Sequence, residues 1–495
     1  MAITVSSRPD TVSAAYLPTR YVMTSDKMPN TIAAEINQTI NNITTVTSTI
    51  NSIFGGVFEE GDTIIYLQGS ITVSLATGEY VKITGNTGAE YDGVHKVKTV
   101  YGSSTSGIFT IETTYTIDAA GGSLSKYYKD FSIVSDLYID SAFAVRMRAQ
   151  VTGDNNFVFD FSRHLQIYLG SDVETLNATA RVQAENTAKP FYIKYAEEYR
   201  IPDSNNEPII TTQTLTDDVS NTKVAFNTAI QYVDYRNKEI VSTNYNMNDF
   251  TTASSTKRFL TNMPSSVKIG SSEHFFLTLP ETIVAGTYVI KVDTYNSSNA
   301  LIASNNYATY TGVAAYRAYN VPSGTSNLSS VITAATAYYD VYLYNTTFSV
   351  QQTEKKRFII NRDCKPLELR FEWLNQLGGM DSYTFIGHQN KQSSIERKQY
   401  KRNLNAARVI PERQYTTTQN ISTDTFTVNS GRVDYETSEW LQELFNDVET
   451  YVIIDGQRLP VQILSDSIDV WNTQGNSYNI TFEYRFAYDK ITQRN

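Results

Sequence analysis

The final part of the chain contains the pattern that most restricts the fold. An Asp455-Gly456 pair separates two apolar runs. Such a pair favours a β-hairpin, because both central residues of the tight turn need a positive φ. In the last predicted strand, apolar and polar residues alternate, with a period of two that predicts one buried face and one solvated face. The first face has Ile480, Phe482, Tyr484 and Phe486, and the second has Thr481, Glu483 and Arg485.

Similar alternation recurs along the chain, whose 495 residues are too many for one core. We therefore predict a mainly β, multi-domain protein, built from antiparallel β-sandwich or barrel domains with a few helices. The predicted domains are a discontinuous N-terminal β-sandwich at 1–25 and 128–240, a helical segment at 26–58, an inserted small β-barrel-like module at 59–127, a middle β domain at 241–350, and a C-terminal β domain at 351–495 with a helix near 438–446.

One long helix is predicted near 30–54, because Ile36, Ile43 and Ile50 stand seven residues apart. Two interpretations of this apolar stripe stay open. It packs on its own domain, which is the usual case for an amphipathic helix, or it packs against a neighbouring subunit. Under the second interpretation, the three isoleucines are candidate subunit-interface residues. The many β-branched residues give the segment a low intrinsic helix propensity.

The charge balance argues against a broad nucleic-acid surface. Basic residues number 41 and acidic residues 51, which gives a net charge of −10, whereas nucleic-acid binding needs clustered positive charge. A single cysteine, Cys364, excludes an intrachain disulfide. The start of the chain lacks the features of a signal peptide, and no apolar run has the length of a membrane span. We expect a protein made in the cytoplasm, with no membrane-spanning segment.

No motif for catalysis or cofactor binding is recognisable. The chain lacks a Gly-rich phosphate loop, a G-x-S-x-G elbow and an H-E-x-x-H motif, and its four histidines are isolated in sequence. Asp434 and Glu436 are near neighbours in sequence, whereas a glycosidase needs two carboxylates that face each other across a cleft. We predict no catalytic residue, no cofactor and no metal ligand, and we expect that the protein is not an enzyme.

A basic run interrupts the acidic background. It consists of Arg397, Lys398, Lys401 and Arg402, with Tyr400 among them. The run could contact phosphates, it could bind acidic patches on a partner protein, or it could be a solvated face, which is the usual role of such a run. These four basic residues are candidate contact residues, and the choice between DNA and protein stays open.

The segment 369–385 has the densest unusual pattern. Two alternating runs flank Gly378-Gly379, and glycine allows both a positive φ and a close backbone approach. We predict a hairpin whose tip is presented to another chain. Trp373, Gly378, Gly379 and Tyr383 are therefore candidate subunit-interface residues.

Three parts of the sequence resemble those of known virion proteins. The segments 373–385 and 159–169 and the chain end from Trp440 to Asn495 are similar to tail and baseplate-region structural proteins of bacteriophages that infect Bacteroidetes, including crAss-like phages. The module at 59–127 resembles small β-modules inserted in phage tail proteins. The resemblance covers about half of the chain.

The resemblance implies a homo-oligomeric ring, of the tail-barrel or distal-tail kind, in the virion tail. Such a ring would form part of the DNA channel, would contact passing phage DNA transiently, and would dock other proteins of the tail and portal region. The leading hypothesis is thus a non-enzymatic structural protein. The alternatives are a receptor- or glycan-binding tail protein, whose marker would be exposed aromatics beside Asp and Asn, and a tail-associated glycan hydrolase.

Overall fold

The computed structural model describes most of the chain. The described residues are 3–9, 12–25, 38–45, 50–51, 57–58, 63–67, 75–85, 87, 91–100, 108–113, 116, 119, 123–152, 156–205, 207–229, 258–281, 286–311, 317–362, 368–403, 406–407, 413–447, 449–465 and 478–488. They form two compact units. Unit one comprises 1–10, 18–164 and 191–223, and unit two comprises 11–17, 165–190 and 224–495.

Strands dominate both units, which confirms the prediction of a mainly β protein with several antiparallel sheets. In chain order the strands are β1 (Ile3–Ser7), β2 (Val12–Ala14), β3 (Arg20–Ser25), β4 (Gln38–Thr45), β5 (Ile50–Asn51), β6 (Val57–Phe58), β7 (Thr63–Leu67), β8 (Tyr80–Thr84), β9 (Gly93–Val100), β10 (Ile108–Ile111), β11 (Ser123–Tyr127), β12 (Ser132–Ile139), β13 (Ala142–Ala149), β14 (Phe157–Asp160), β15 (Val182–Ala184), β16 (Ala188–Pro202), β17 (Pro208–Thr212), β18 (Thr216–Asp217), β19 (Lys223–Phe226), β20 (Ser266–Gly270), β21 (Phe276–Glu281), β22 (Thr287–Tyr295), β23 (Leu301–Thr311), β24 (Arg317–Pro322), β25 (Tyr338–Asn345), β26 (Val350–Gln351), β27 (Lys356–Asn361), β28 (Leu369–Leu374), β29 (Met380–Phe385), β30 (Gln389–Lys401), β31 (Tyr415–Asn429), β32 (Thr450–Ile454), β33 (Gln457–Ile463) and β34 (Thr481–Phe486). The helices are α1 (Ser162–Tyr168), α2 (Tyr435–Leu441) and α3 (Glu443–Asn446), with a 3₁₀ turn at Val219–Asn221.

Unit one contains a closed barrel with the strand order β10-β7-β4-β11-β8-β9. Its interior is filled by apolar side chains that include Val81, Ile83, Val97 and Phe109. Closure removes the free strand edges that a small open sheet would expose. A second sheet places β12 between β13 and β16, and β17 and β18 also pair with β16. A third sheet has the order β1-β3-β14.

The prediction of a helix near 30–54 is wrong for the described residues of that segment. Residues 38–45 form β4, which pairs with β7 and β11 in the barrel, and residues 50–51 form β5. Ile43 and Ile50 are therefore strand residues, and Ile36 lies outside the described residues. The abundance of Ile, Thr and Val in this segment favours a strand, and barrel pairing outweighs the apolar stripe. The barrel thus begins earlier in the chain than the module predicted at 59–127.

Unit two contains a six-stranded sheet in which β20, β27, β25, β22 and β23 follow one another and β26 pairs with β25. A seven-stranded sheet has the order β29-β28-β32-β33-β34-β31-β30, and a three-stranded sheet the order β15-β24-β21. One hydrophobic cluster joins residues from both larger sheets, such as Val292 and Tyr339 with Phe371 and Phe482. The boundary predicted at 350/351 does not separate two cores, because β27 pairs with β20 and β25.

The predicted hairpin at Asp455-Gly456 is confirmed. It joins β32 to β33, with Ile454 opposite Gln457, and the turn residues have φ values of 50° and 73°. In β34, Phe482 and Tyr484 are buried whereas the side chains between and beside them are exposed. The alternation in the sequence therefore predicts the buried face of the last strand correctly.

Candidate functional site: an exposed ribbon and a tyrosine-lined cavity

Strands β30 and β31 form an antiparallel ribbon that extends beyond the sheet of unit two. β31 pairs with β34 only from Phe426 to Asn429. From Asp424 outward to Tyr415, it pairs with β30 alone among the described strands. At about 3.4 Å per residue, this two-stranded part is roughly 30 Å long. All residues of β30 after Gln389 are exposed, so the chain itself gives the ribbon little burial.

The inner part of the ribbon has its charges paired. Lys391 Nζ lies 3.0 Å from Asp424 Oδ2, and Ser393 Oγ donates a hydrogen bond of 2.5 Å to Asp424 Oδ1. The Lys391 ammonium also lies over the ring of Phe426, at 5.3 Å from its centroid. These contacts hold the ribbon where it leaves the sheet.

The outer part of the ribbon contains the predicted basic run, and all four basic side chains of this run are exposed. Among the described residues, Arg397, Lys398 and Lys401 form no ion pair, and Lys401 Nζ lies 5.9 Å from the ring centroid of Tyr415. Arg402 follows at the end of β30, where its backbone N donates to Gln414 O. The structure thus brings the four predicted basic residues together on one exposed element.

Exposed apolar side chains accompany these cations. Ile395 is 49% exposed, Tyr400 48% and Tyr415 59%, and Ile421 is also exposed. Large apolar groups on a thin ribbon are not covered by the described parts of their own chain, and contiguous exposed apolar surface commonly marks a binding surface.

An acidic surface lies near the base of the same ribbon, on helix α2. Asp434 caps the helix by accepting a hydrogen bond of 2.7 Å from Thr437 N. Asp434, Glu436 and Glu439 are all exposed, and Glu439 raises the pKa of the Tyr435 hydroxyl by its negative charge. Asp434 and Glu436 are near neighbours in the sequence. The N-cap and the exposed side of the short helix place them together with Glu439, whereas Trp440 and Leu441 on the other side of the helix are buried.

A cavity of about 490 Å³ lies between β20, β29 and the start of α2. Tyr435 and Tyr478 line it, with ring centroids 6.0 Å apart in an edge-to-face arrangement. Glu273 also lines it and accepts hydrogen bonds from Gly270 N at 2.8 Å and from Thr384 Oγ1 at 2.5 Å. Burial raises the pKa of the Glu273 carboxyl. The other lining residues include Lys268, Asn361, Glu368, Arg432 and Asp434.

The predicted interface residues of the segment 369–385 lie in the interior of unit two. Trp373 is fully buried and packs on Trp440, with ring centroids 5.3 Å apart, and Tyr383 is also buried. A Cβ added at Gly378 would lie 2.5 Å from Asn227 O.

A Cβ at Gly379 would likewise lie 2.4 Å from Leu260 O. The predicted hairpin forms, since Leu374 pairs with Met380, but its tip packs against its own chain. The burial of these four residues does not support the surface role that we predicted for them.

A buried polar network surrounds this hairpin. Asp381 Oδ2 accepts hydrogen bonds of 2.7 Å from Trp440 Nε1 and from Thr261 Oγ1, and burial raises the pKa of its carboxyl. Glu443 accepts from Asn262 Nδ2 at 2.6 Å. Burial, with the nearby Asp381 charge, raises the pKa of Glu443 to about 7. Sequence reasoning missed this network because its members come from distant parts of the chain.

Within the described residues, no group of three or more His, Cys, Asp or Glu side chains is arranged to hold a metal ion. Two of the isolated histidines, His95 and His274, have surroundings that the structure defines. The His95 ring contacts Thr113 Oγ1 at 2.6 Å and Tyr91 O at 2.8 Å, and burial lowers the pKa of His274. None of the described helices is both long enough and apolar enough to cross a membrane.

No protein-family model matches the chain, and no curated protein is significantly similar to it.

Proposed function

We propose that the protein is a bacteriophage virion structural protein, a non-enzymatic component of a homo-oligomeric ring of the tail-barrel or distal-tail kind. In this role it forms part of the DNA channel, contacts passing phage DNA transiently, and docks neighbouring tail and portal-region proteins. It is made in the host cytoplasm and resides in the virion tail. The sequence resemblance motivates this identity, and the exposed ribbon β30–β31 is the structural observation that supports an assembly role.

The physical argument concerns the stability of the ribbon. An isolated two-stranded hairpin is at best marginally stable in water, and the outer edge of β30 has no described partner strand over 13 residues. An edge of this length is a template for contact with another chain. Packing against a neighbour would cover Ile395, Tyr400 and Tyr415, and would supply the burial that the ribbon lacks within its own chain.

Contact between two different surfaces of identical subunits generates a ring when the rotation closes. A mainly β subunit with stiff sheets suits this role, because rigid blocks keep the angle between neighbours constant. The ribbon then acts as the arm by which each subunit holds the next.

The mass of the purified full-length protein tests this proposal. We expect light scattering after size exclusion to give a multiple of the 55.6 kDa chain mass, and negative-stain images to show rings with a central opening. A chain that stays monomeric at micromolar concentration and forms no particles would contradict the proposal.

The tyrosine-lined cavity favours one second candidate, a receptor- or glycan-binding tail protein. Tyr435 is exposed beside Asp434, and Asn361 lies on the same cavity wall. The apolar face of a sugar ring packs on an aromatic ring, while carboxylate and amide groups hydrogen-bond its hydroxyls.

Calorimetric titration with host-surface oligosaccharides tests the second candidate. Tyr435→Ala is expected to abolish binding if the cavity is the site. The matched control is Tyr488→Ala, which removes another exposed tyrosine that does not line the cavity. An absence of binding by the unmodified protein would remove the glycan-binding candidate.

A further inference from the structure

We propose that the subunits dock head to tail, with the outer ribbon of one copy bound to the acidic face of the next copy. The outer ribbon is defined as Ile395–Arg402 with Arg413–Ser422, and the acidic face as Asp434, Glu436 and Glu439. This inference rests on the proposed homo-oligomeric function and names the two surfaces that meet.

Positive and negative charges are separated along unit two. The described outer ribbon has five cations, Arg397, Lys398, Lys401, Arg402 and Arg413, and one carboxylate, Glu396. The acidic face has three exposed carboxylates within six residues. The whole chain has a net charge of −10. The outer ribbon is thus a basic segment on an acidic protein, and an acidic surface is its complement.

The distance between the outer ribbon and the acidic face prevents the two surfaces of one copy from pairing. The acidic face follows the base of the ribbon, where Gly431 N donates to Asn429 Oδ1 at 2.7 Å. Arg397 and Lys398 lie opposite Asn420 and Gln419, which are about ten residues from Asn429. At about 3.4 Å per residue, the cations begin roughly 30 Å from the base. This distance is well beyond the screening length of about 8 Å at physiological ionic strength.

The inner part of the ribbon cannot replace the outer ribbon in this contact. Lys391 already pairs with Asp424, whereas Arg397, Lys398 and Lys401 have no ion pair among the described residues. Single exposed ion pairs contribute little. The apolar side chains between the cations therefore supply the burial, and the charges determine which surface is chosen.

These arguments favour a second copy of this chain over other partners. The contact joins two different surfaces, so it is heterologous, and an open assembly keeps one free ribbon and one free acidic face at its ends until a ring closes. A symmetric pairing of two ribbons would place like charges together, which is unfavourable.

Charge reversal on each surface tests the proposal in the full-length chain. The ribbon variant has Lys398→Glu with Lys401→Glu, and the helix variant has Glu436→Lys with Glu439→Lys. All four side chains are exposed, and none is a helix cap. The control variant has Lys82→Glu with Arg163→Glu, which changes the net charge by the same amount as the ribbon variant at two exposed cations outside both surfaces.

We expect the unmodified protein and the control variant to assemble. The apparent dissociation constants of the ribbon and helix variants should rise by at least about tenfold. A chain with all four reversals should assemble again if these positions face each other across the contact, because positions 398 and 401 on the ribbon and positions 436 and 439 on the helix exchange their signs together. An equimolar mixture of the ribbon and helix variants should also assemble, with the two variants alternating, because the reversed positions of one variant match those of the other and their unmodified surfaces match as well.

The possible failures separate the two proposals. If the unmodified protein is monomeric, both the ring proposal and this inference are wrong. If it assembles and the ribbon and helix variants assemble equally well, only this inference is wrong. Loss of assembly without restoration in the fourfold variant would also refute the pairing. Ribbon reversals that abolish binding to duplex DNA but leave the assembly mass unchanged would assign the ribbon to nucleic acid instead.

Discussion

Replacing Glu443 by glutamine should remove a pH dependence of stability that burial creates. Glu443 is 6% exposed, and its pKa is raised to about 7 from an ordinary value of 4.5. Each pKa unit corresponds to about 1.4 kcal/mol, so the shift corresponds to roughly 3 kcal/mol. Because the folded pKa is raised, the folded state binds the proton more tightly. This stabilisation is complete below pH 4.5 and is lost as the pH rises through 7.

Glutamine imitates the protonated carboxyl, since it is neutral and keeps an oxygen that can accept from Asn262 Nδ2. We therefore expect Glu443→Gln to match the unmodified protein near pH 4.5 and to exceed its free energy of unfolding by up to about 3 kcal/mol at pH 8. Urea unfolding followed by tryptophan fluorescence measures this difference. The signal reports on unit two, because Trp373 and Trp440 lie there. A difference between the two proteins that stays constant from pH 5 to pH 8 would refute the reasoning.

Three further perturbations follow from the same structure. Gly378→Ala should destabilise unit two by about 3 kcal/mol in urea unfolding, because the φ of Gly378 is 88° and an added Cβ would meet Asn227 O. The control Gly456→Ala should cost only about 1–2 kcal/mol, because Gly456 has a φ of 73° but open space around it. Equal costs for the two substitutions would contradict the steric explanation. Trp440→Phe should cost about 2 kcal/mol or more by the same measurement, because it removes the indole donor to buried Asp381, and a neutral result would show that this hydrogen bond adds little. Assembly through the ribbon should weaken as the salt concentration rises from 0.05 to 0.5 M in size-exclusion runs, since salt screens the charged surfaces. An assembly mass that does not change with salt concentration would argue against an electrostatic contact.

Local patterns in the sequence were sufficient to predict the structure where it depends on residues that are near neighbours in the chain. The Asp455-Gly456 turn and the buried face of β34 follow from two-residue turn chemistry and from alternation, and both are present. Local periodicity predicted the wrong element at 38–45, where apolar residues spaced as in a helix belong to a strand. Pairing with β7 and β11 decides that segment, and such pairing partners are not visible in local periodicity.

The sequence by itself determined a mainly β protein with an acidic background and one basic run. Only the tertiary structure decided where those residues lie. It placed Trp373 and Gly378 in a core rather than at a surface, and it put the basic run on an exposed ribbon that begins beside the acidic helix. The physical reason is that burial and charge separation depend on which distant strands pair, and that choice is made by the packing of the whole unit.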